Sequence, residues 1–177
     1  FLHRIVLGGM GFMNTNSFNN GENRVLRKWV STRCSESDRR LVVFDIGANE
    51  GEFSALVRNE IEAAVLHCFE PNPNSFSRLR ERFDGDARVT LNATAIGSEA
   101  GELELFDRKN SDGTGHASLL SDTFRDIYPD ETASYRVKIN TVDRYVEEHG
   151  ISSIDYLKID VEGYEHEVFK GMKTSID

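Results

Sequence analysis

Short apolar runs alternate with helical stripes through the first part of the chain. The runs at 41–44 and 64–70 have the length and composition of strands covered on both faces, and 89–96 predicts a third strand. Between them, apolar residues at helical spacing predict one helix over 53–61 and another over 76–83, the second capped by Asn74 or Ser75. This order of strand, helix, strand, helix, strand predicts a parallel α/β sheet with right-handed crossovers.

The pattern changes after residue 100. Ranges 102–106 and 135–140 alternate polar and apolar positions, so we expect two half-exposed strands that pair with each other. Residues 107–134 between them form the longest irregular stretch, which we interpret as a loop or mobile cover. The run 154–160 predicts a last strand, preceded by a helix that Thr141 caps and followed by another helix.

The N-terminal part is less regular. Residues 1–21 are rich in Gly, Asn and Met and predict an irregular segment, whereas 22–30 carry an apolar stripe that predicts a helix lying on the core. A length of 177 residues suits one domain. Because the chain starts at Phe1 and ends just after a predicted helix, we interpret it either as a fragment of a longer polypeptide or as a chain that was processed at its N-terminus.

The composition of the chain indicates which classes of binding partner and which cellular compartment to expect. A formal net charge of −9 without a basic run argues against binding to nucleic acid. Cys34 and Cys68 form no metal-binding pattern and are interpreted as reduced thiols of a cytoplasmic protein. No apolar run approaches the ~20 residues of a membrane span, and there is no signal-peptide pattern. The histidines show no metal-site spacing, so no metal is expected.

A glycine turn follows the first predicted strand and indicates a cofactor-binding site. It has the form D-x-G-x-N-x-G, with Asp45, Gly47, Asn49 and Gly51 at the named positions. The glycines allow a sharp turn and close approach of a ligand, and the following helix points free N–H groups at it. A carboxylate at the turn repels a pyrophosphate but suits a cation. Asp45 therefore favours a sulfonium cofactor, S-adenosylmethionine, over a nicotinamide dinucleotide.

Other polar groups stand at strand ends that should meet Asp45. In an open α/β sheet the ligand lies beyond the carboxyl ends of the strands. Glu70, 25 residues after Asp45, stands where a carboxylate accepts both hydroxyls of a ribose. Residues 92–95 and Asp160 end the next strands and should converge on the same edge.

Several of these residues have a plainer interpretation that stays open. Asp160 and Glu162 are also typical of charges at a helix start. Lys158 fits a strand residue facing polar surroundings, and His67 fits a core histidine with a satisfied ring. His116, inside the loop 107–134, is either solvated or a base.

The sequence resembles the FkbM-type methyltransferases, a branch of the class I S-adenosylmethionine-dependent enzymes. The matching segments are 43–51, 69–73, 92–97, 141–145 and 157–165, of which the K-I-D-V-E-G run is the most specific. The resemblance implies a Rossmann-like, mostly parallel sheet flanked by helices. Because the family continues with further strands, it also implies that this single domain is incomplete at its C-terminus and lacks those strands.

The resemblance also implies an activity and a set of site residues. The activity is transfer of a methyl group from S-adenosylmethionine to a hydroxyl of a sugar, lipid or other small molecule, leaving S-adenosylhomocysteine. Asp160 would orient the acceptor hydroxyl or take its proton, with Glu162 and His116 as further candidates. The residues carried over for the cofactor are Asp45, Gly47, Asn49 and Gly51 at the methionine end, Glu70 at the ribose, Pro71 and Asn72 beside the adenosine, Thr94 and Ala95 at the adenine, and Asp160 near the sulfonium.

The sequence leaves two alternative functions open. A nicotinamide-dependent dehydrogenase would need a backbone-lined pyrophosphate site where Asp45 stands. A degenerate domain would bind cofactor or a partner without turnover. Oligomeric state is left open.

Overall fold

The computed structural model describes residues 5–7, 26, 28–29, 40–108 and 132–175. The strands, in chain order, are β1 (Ile5–Leu7), β2 (Leu41–Ile46), β3 (Ala64–Phe69), β4 (Val89–Asn92), β5 (Thr94–Ile96), β6 (Gly101–Arg108), β7 (Thr132–Asn140) and β8 (Tyr156–Ile159). The helices with described bounds are α1 (Glu52–Glu60), α2 (Pro73–Phe83), α3 (Val142–His149) and α4 (Glu165–Lys170).

Five of the strands form a parallel sheet in the order β1-β8-β2-β3-β4. β3 lies beside β2, and β4 lies beside β3, because a helix carries the chain back along the sheet between them, as predicted. β8 adds on the other side of β2, so the order of the strands reverses between β2 and β8. This reversal opens a crevice at the carboxyl ends of those two strands.

The alternation of side chains along β2 divides the core into two layers. Leu41 and Val43 pack on one face with α1 and α2, together with the helical residues Leu26 and Trp29. Phe44 and Ile46 pack on the other face with α3 and α4. A strand covered on both faces has this pattern, in which even and odd positions are both apolar.

A smaller sheet covers one edge of the crevice. It has the order β5-β7-β6, and β6 and β7 pair antiparallel with Glu102 opposite Lys138, as the alternating pattern predicted. The single strand predicted over 89–96 is wrong, because the chain breaks at Ala93 into β4 and β5. β4 pairs with β3, whereas β5 joins β7 in the smaller sheet.

Element ends differ from the predictions in three places. α2 is capped by Asn72, whose side-chain oxygen accepts the Asn74 N–H at 2.9 Å, and not by Asn74 or Ser75. β6 and β7 extend into the range predicted as a loop, and residues 109–131 of that range lie outside the described residues. Within 1–21, Ile5–Leu7 forms a strand parallel to β8.

Thr141 caps α3 as predicted, accepting the Arg144 N–H at 3.1 Å. Nearby, Asp143 accepts the N–H groups of Thr174 and Ser175 and the Ser175 hydroxyl. Burial would raise the pKa of this carboxyl, but these hydrogen bonds outweigh it and lower the pKa. Asp143 thus joins α3 to the chain that follows α4.

No helix in the described part of the chain is long and apolar enough to cross a membrane.

Candidate cofactor pocket

A pocket with a cavity volume of about 100 Å³, partly open to solvent, lies beyond the carboxyl ends of β2, β3 and β8. Residues from the smaller sheet close its other side. The lining residues are Ile46, Gly47, Asn49, Phe69, Glu70, Pro71, Asn72, Ser75, Thr94, Ala95, Ile96, Leu105, Asp160, Val161 and Glu162.

Glu70 is a carboxylate of the pocket lining that two backbone N–H groups hold in place. Its Oε2 accepts the Asn49 N–H at 2.8 Å, and its Oε1 accepts the Asn72 N–H at 2.8 Å. The carboxylate is therefore fixed between the turn after β2 and the turn after β3. Each carboxylate oxygen can accept a further hydrogen bond, so two neighbouring hydroxyls of a ligand can be bound at once.

Burial at this position also raises the pKa of Glu70. Burial raises the pKa of its carboxyl to about 7, although the N–H groups of Asn72 and Asn49 act in the opposite direction. The side chain is therefore poised to gain or lose a proton near neutral pH.

Gly47 brings the ends of β2 and β8 into contact. It has a φ of +80°, and a Cβ there would lie 1.8 Å from the carbonyl oxygen of Asp160. The Asp160 N–H donates to the Ile46 carbonyl at 2.9 Å. Only glycine combines this backbone conformation with such close packing, and as a result Asp160 stands directly beside the turn.

The prediction that Asp45 faces the cofactor is not supported by the geometry. Its side chain is fully buried and does not line the pocket. Its Oδ2 accepts the Ser54 hydroxyl at 2.7 Å, so it points under α1. Position 45 shares a strand face with Leu41 and Val43, and that face is covered by α1.

Lys158 was interpreted only as a strand residue, but it connects three groups of the site. Its Nζ lies 3.4 Å from Asp45 Oδ1, 3.3 Å from Asp160 Oδ2 and 3.4 Å from the Gly47 carbonyl oxygen. Asp45 and Lys158 are register partners in adjacent strands. A lysine between two apolar strand residues, beside a strand that carries an aspartate, is the sequence signal for such a buried pair.

Gly51 also has a structural task and does not line the pocket. Its φ is +81°, and a Cβ would come within 2.6 Å of Leu79 Cδ1 and Phe83 Cε2. The glycine therefore lets α1 begin against α2. The prediction that a ligand approaches this glycine is not supported by the geometry.

Asn72 is the point where the smaller sheet meets the pocket. Its Oδ1 caps α2, and its Nδ2 donates to the buried carboxylate of Asp107 at 2.7 Å. Both ends of the amide are thus engaged by the protein. Asp107, in β6, lies in the range that we predicted as a loop.

The remaining predicted residues fall into three groups. Pro71, Thr94, Ala95 and Glu162 line the pocket. His116 lies outside the described residues. His67 is a core histidine as predicted, with Nδ1 2.8 Å from the Tyr145 hydroxyl, and burial lowers its pKa to about 4, helped by His149.

Sequence reasoning missed other lining residues, namely Ile46, Phe69, Ser75, Ile96, Leu105 and Val161. Most are apolar positions at strand ends, which the pattern had assigned to the core alone. Ser75 had been considered only as a helix cap.

The charge of the pocket is one-sided. Glu70, Asp160 and Glu162 contribute carboxylates, and none of the lining residues in the described part of the chain is lysine or arginine. Lys158, behind the lining, offsets part of the charge of Asp160. Such a wall repels a pyrophosphate and attracts a cation. The preference for a positively charged ligand that we had assigned to Asp45 therefore rests on other residues.

A parallel sheet with a glycine turn and a pocket at the reversal of strand order is typical of α/β domains that bind a ligand beyond the carboxyl ends of their strands. Residues 45–177 match the methyltransferase FkbM domain, and the chain belongs to that family. The resemblance seen in the sequence is thereby confirmed.

Three curated proteins illustrate what the chain is similar to. The chain is 30% identical over 144 residues to 2-O-methyltransferase NoeI of Sinorhizobium fredii, covering 76% of this chain and 58% of the relative. It is 27% identical over 157 residues to hexuronic acid methyltransferase AglP of Haloferax volcanii, covering 88% and 58%. It is 30% identical over 158 residues to 31-O-demethyl-FK506 methyltransferase FkbM of Streptomyces tacrolimicus, covering 76% and 60%. The chain thus spans somewhat over half the length of these relatives.

Proposed function

We propose that the protein is an S-adenosylmethionine-dependent O-methyltransferase whose acceptor is a hydroxyl of a sugar, a lipid or another small molecule. The observation that carries this proposal is the Glu70 carboxylate, fixed at a strand end by two N–H groups and facing the pocket. The names of the relatives support the choice of a hydroxyl acceptor. We also place the protein in the cytoplasm, where a free thiol such as the buried Cys68 stays reduced.

The pocket residues fit the parts of this cofactor. Glu70 would accept the two ribose hydroxyls, with Pro71 and Asn72 beside the adenosine. Thr94 and Ala95 would contact the base. At the other end, Asp160 would stand near the positively charged sulfur and amine, in the role that the sequence had suggested for Asp45.

When bound, S-adenosylmethionine supplies an electrophilic methyl group, which the acceptor oxygen attacks in line. Much of the rate should come from holding that oxygen in position. Asp160 is suited to this task because its side chain is 42% exposed while its Oδ2 lies 3.3 Å from Lys158 Nζ. It is our candidate for orienting the acceptor hydroxyl or accepting its proton, with Glu162 as a second candidate.

Replacing Asp160 with asparagine should lower turnover by about 100-fold or more, because general-base catalysis contributes about that much. Affinity for S-adenosylhomocysteine should fall less than tenfold, since Glu70 is retained. Turnover is measured as the mass increase of one methyl group on members of a panel of sugars and hydroxylated lipids. Asp84→Asn, an exposed residue beyond α2, is the matched control. Turnover of Asp160→Asn close to that of the control would remove Asp160 from the mechanism.

Cofactor affinity should depend on pH through Glu70. Its folded-state pKa of about 7 means that the carboxyl is largely protonated below neutrality, and it must lose the proton to accept both ribose hydroxyls. Affinity for S-adenosylhomocysteine should therefore fall by roughly 10- to 30-fold between pH 8 and pH 5.5, as proton linkage requires. Calorimetric titration across this range measures the effect.

Glu70→Gln is the matched control, because the amide does not titrate. It should bind more weakly than wild type at pH 8 and show little change on acidification. Parallel pH curves for the two proteins would show that Glu70 does not control binding.

The two other functions make different predictions. A dinucleotide would place its pyrophosphate against Glu70, Asp160 and Glu162, so titration of NADH fluorescence should show no binding at micromolar protein. A degenerate domain would bind S-adenosylhomocysteine but transfer no methyl group to any acceptor. Absence of S-adenosylhomocysteine binding would exclude the proposed function.

A further inference from the structure

Ser75 is a buried residue of the pocket lining to which the proposed function assigns no role. It lies in the first turn of α2, lines the pocket and is only 3% exposed. No hydrogen bond joins its hydroxyl to any residue in the described ranges. The buried Ser54, in contrast, donates to Asp45 and lies 3.0 Å from the Cys68 thiol. Ser75 is thus a buried residue that lines the pocket and whose hydroxyl makes no hydrogen bond within the described part of the chain.

The order of the strands indicates where Ser75 lies relative to Asp160 and Glu70. Asp160 follows β8, Gly47 follows β2 and Glu70 follows β3, and these strands are neighbours in that order. With about 4.8 Å between adjacent strands, Asp160 and Glu70 stand at ends separated by about 10 Å. Ser75 follows Glu70 in the chain, in the helix that leads from β3 to β4, and β4 pairs with β3 on the side away from β8. A ligand that places a ribose on Glu70 and a sulfur near Asp160 therefore directs its third part, the base, towards Ser75.

Asn72, which the proposed function places beside the adenosine, already has partners within the protein for both ends of its side-chain amide. Its oxygen caps α2 and its nitrogen donates to Asp107. Rotation of the amide would break both contacts and leave Asp107 without this donor in a buried position. Ser75 can instead rotate its hydroxyl to donate or to accept.

We propose that Ser75 determines specificity for the base of the cofactor through a hydrogen bond from its hydroxyl group. This inference rests on the proposed function, since it takes the cofactor to be an adenine nucleoside. The lining of the pocket also includes the apolar side chains of Ile96 and Leu105. A bound base would displace solvent from the Ser75 hydroxyl, which then needs a ligand partner to avoid an unsatisfied polar group.

The test compares two ligands that differ only by the base, S-adenosylhomocysteine and S-ribosylhomocysteine, and measures their dissociation constants by calorimetry or by competition. Ser75→Ala should weaken S-adenosylhomocysteine by about 5- to 15-fold, as expected for loss of one hydrogen bond. It should leave S-ribosylhomocysteine within twofold of wild type. Ser77→Ala, on the same helix but outside the pocket lining, is the matched control and should change neither constant.

Three outcomes overturn the proposal. Unchanged binding of S-adenosylhomocysteine by Ser75→Ala would show that the hydroxyl contacts no part of the base, while the proposed function would stand. Equal weakening of both ligands would show that Ser75 shapes the pocket without recognising the base. Failure of the wild-type protein to bind S-adenosylhomocysteine would overturn the proposed function and this inference together.

Discussion

Replacing Lys158 with methionine should lower the free energy of unfolding by about 3–5 kcal/mol, the usual cost of breaking a buried ion pair. Methionine keeps the length and apolar stem of lysine but removes the charge. Asp45, which is fully buried, would then lose its cation and retain the Ser54 hydroxyl. Chemical denaturation of the purified variant, followed by circular dichroism, measures the change.

Two further variants identify the cause of the loss. Lys170→Met removes an exposed pair with Glu167 and should cost about 1 kcal/mol or less. The double variant Asp45→Asn/Lys158→Met removes both buried charges and should regain much of the stability lost in Lys158→Met. A Lys158→Met protein as stable as Lys170→Met would show that the Asp45–Lys158 pair does not stabilise the fold.

Replacing Gly47 with alanine should be the most damaging change in the glycine turn. The left-handed backbone costs about 1–2 kcal/mol for a residue with a Cβ, and the clash with the Asp160 carbonyl adds about 1–3 kcal/mol. Because relief of the clash separates β2 from β8, S-adenosylhomocysteine binding should also be lost. Denaturation and calorimetry measure the two effects.

Gly150→Ala separates the clash from the backbone conformation. Gly150 has a φ of +61° at the end of α3, and a Cβ there would meet no atom within 4 Å. It should lose about 1 kcal/mol of stability and keep cofactor binding. If Gly47→Ala loses no more than this control, the close contact between the turn and Asp160 is not a constraint.

Periodicity was sufficient to predict the main elements because burial governs them. The parallel strands β2 and β3 are covered on both faces and read as continuous apolar runs, while β6 and β7 alternate because one face is exposed. The break at Ala93 could not be predicted in the same way. β4 and β5 continue a single β-rich run, and only the partner strands reveal that the chain has changed sheets.

Whether a residue lines the pocket could be predicted from the sequence where backbone geometry sets its position, but not where the direction of the side chain decides. Gly47, Asn49 and Glu70 follow the last strand residue, so their place at the sheet edge depends only on topology. Asp45 lies one residue inside β2, and its direction depends on strand parity. Its shared face with Val43 indicates that it points under α1, and applying this alternation to Lys158 also places that residue beside Asp45.

The orientation of the cofactor across the strand ends is tested most directly by a crystal structure of the protein with S-adenosylhomocysteine. We predict both ribose hydroxyls within hydrogen-bond distance of the Glu70 carboxylate, with the homocysteine amine on the side of Asp160. A nucleoside bound away from Glu70, or a homocysteine amine in contact with Asp45, would contradict this orientation.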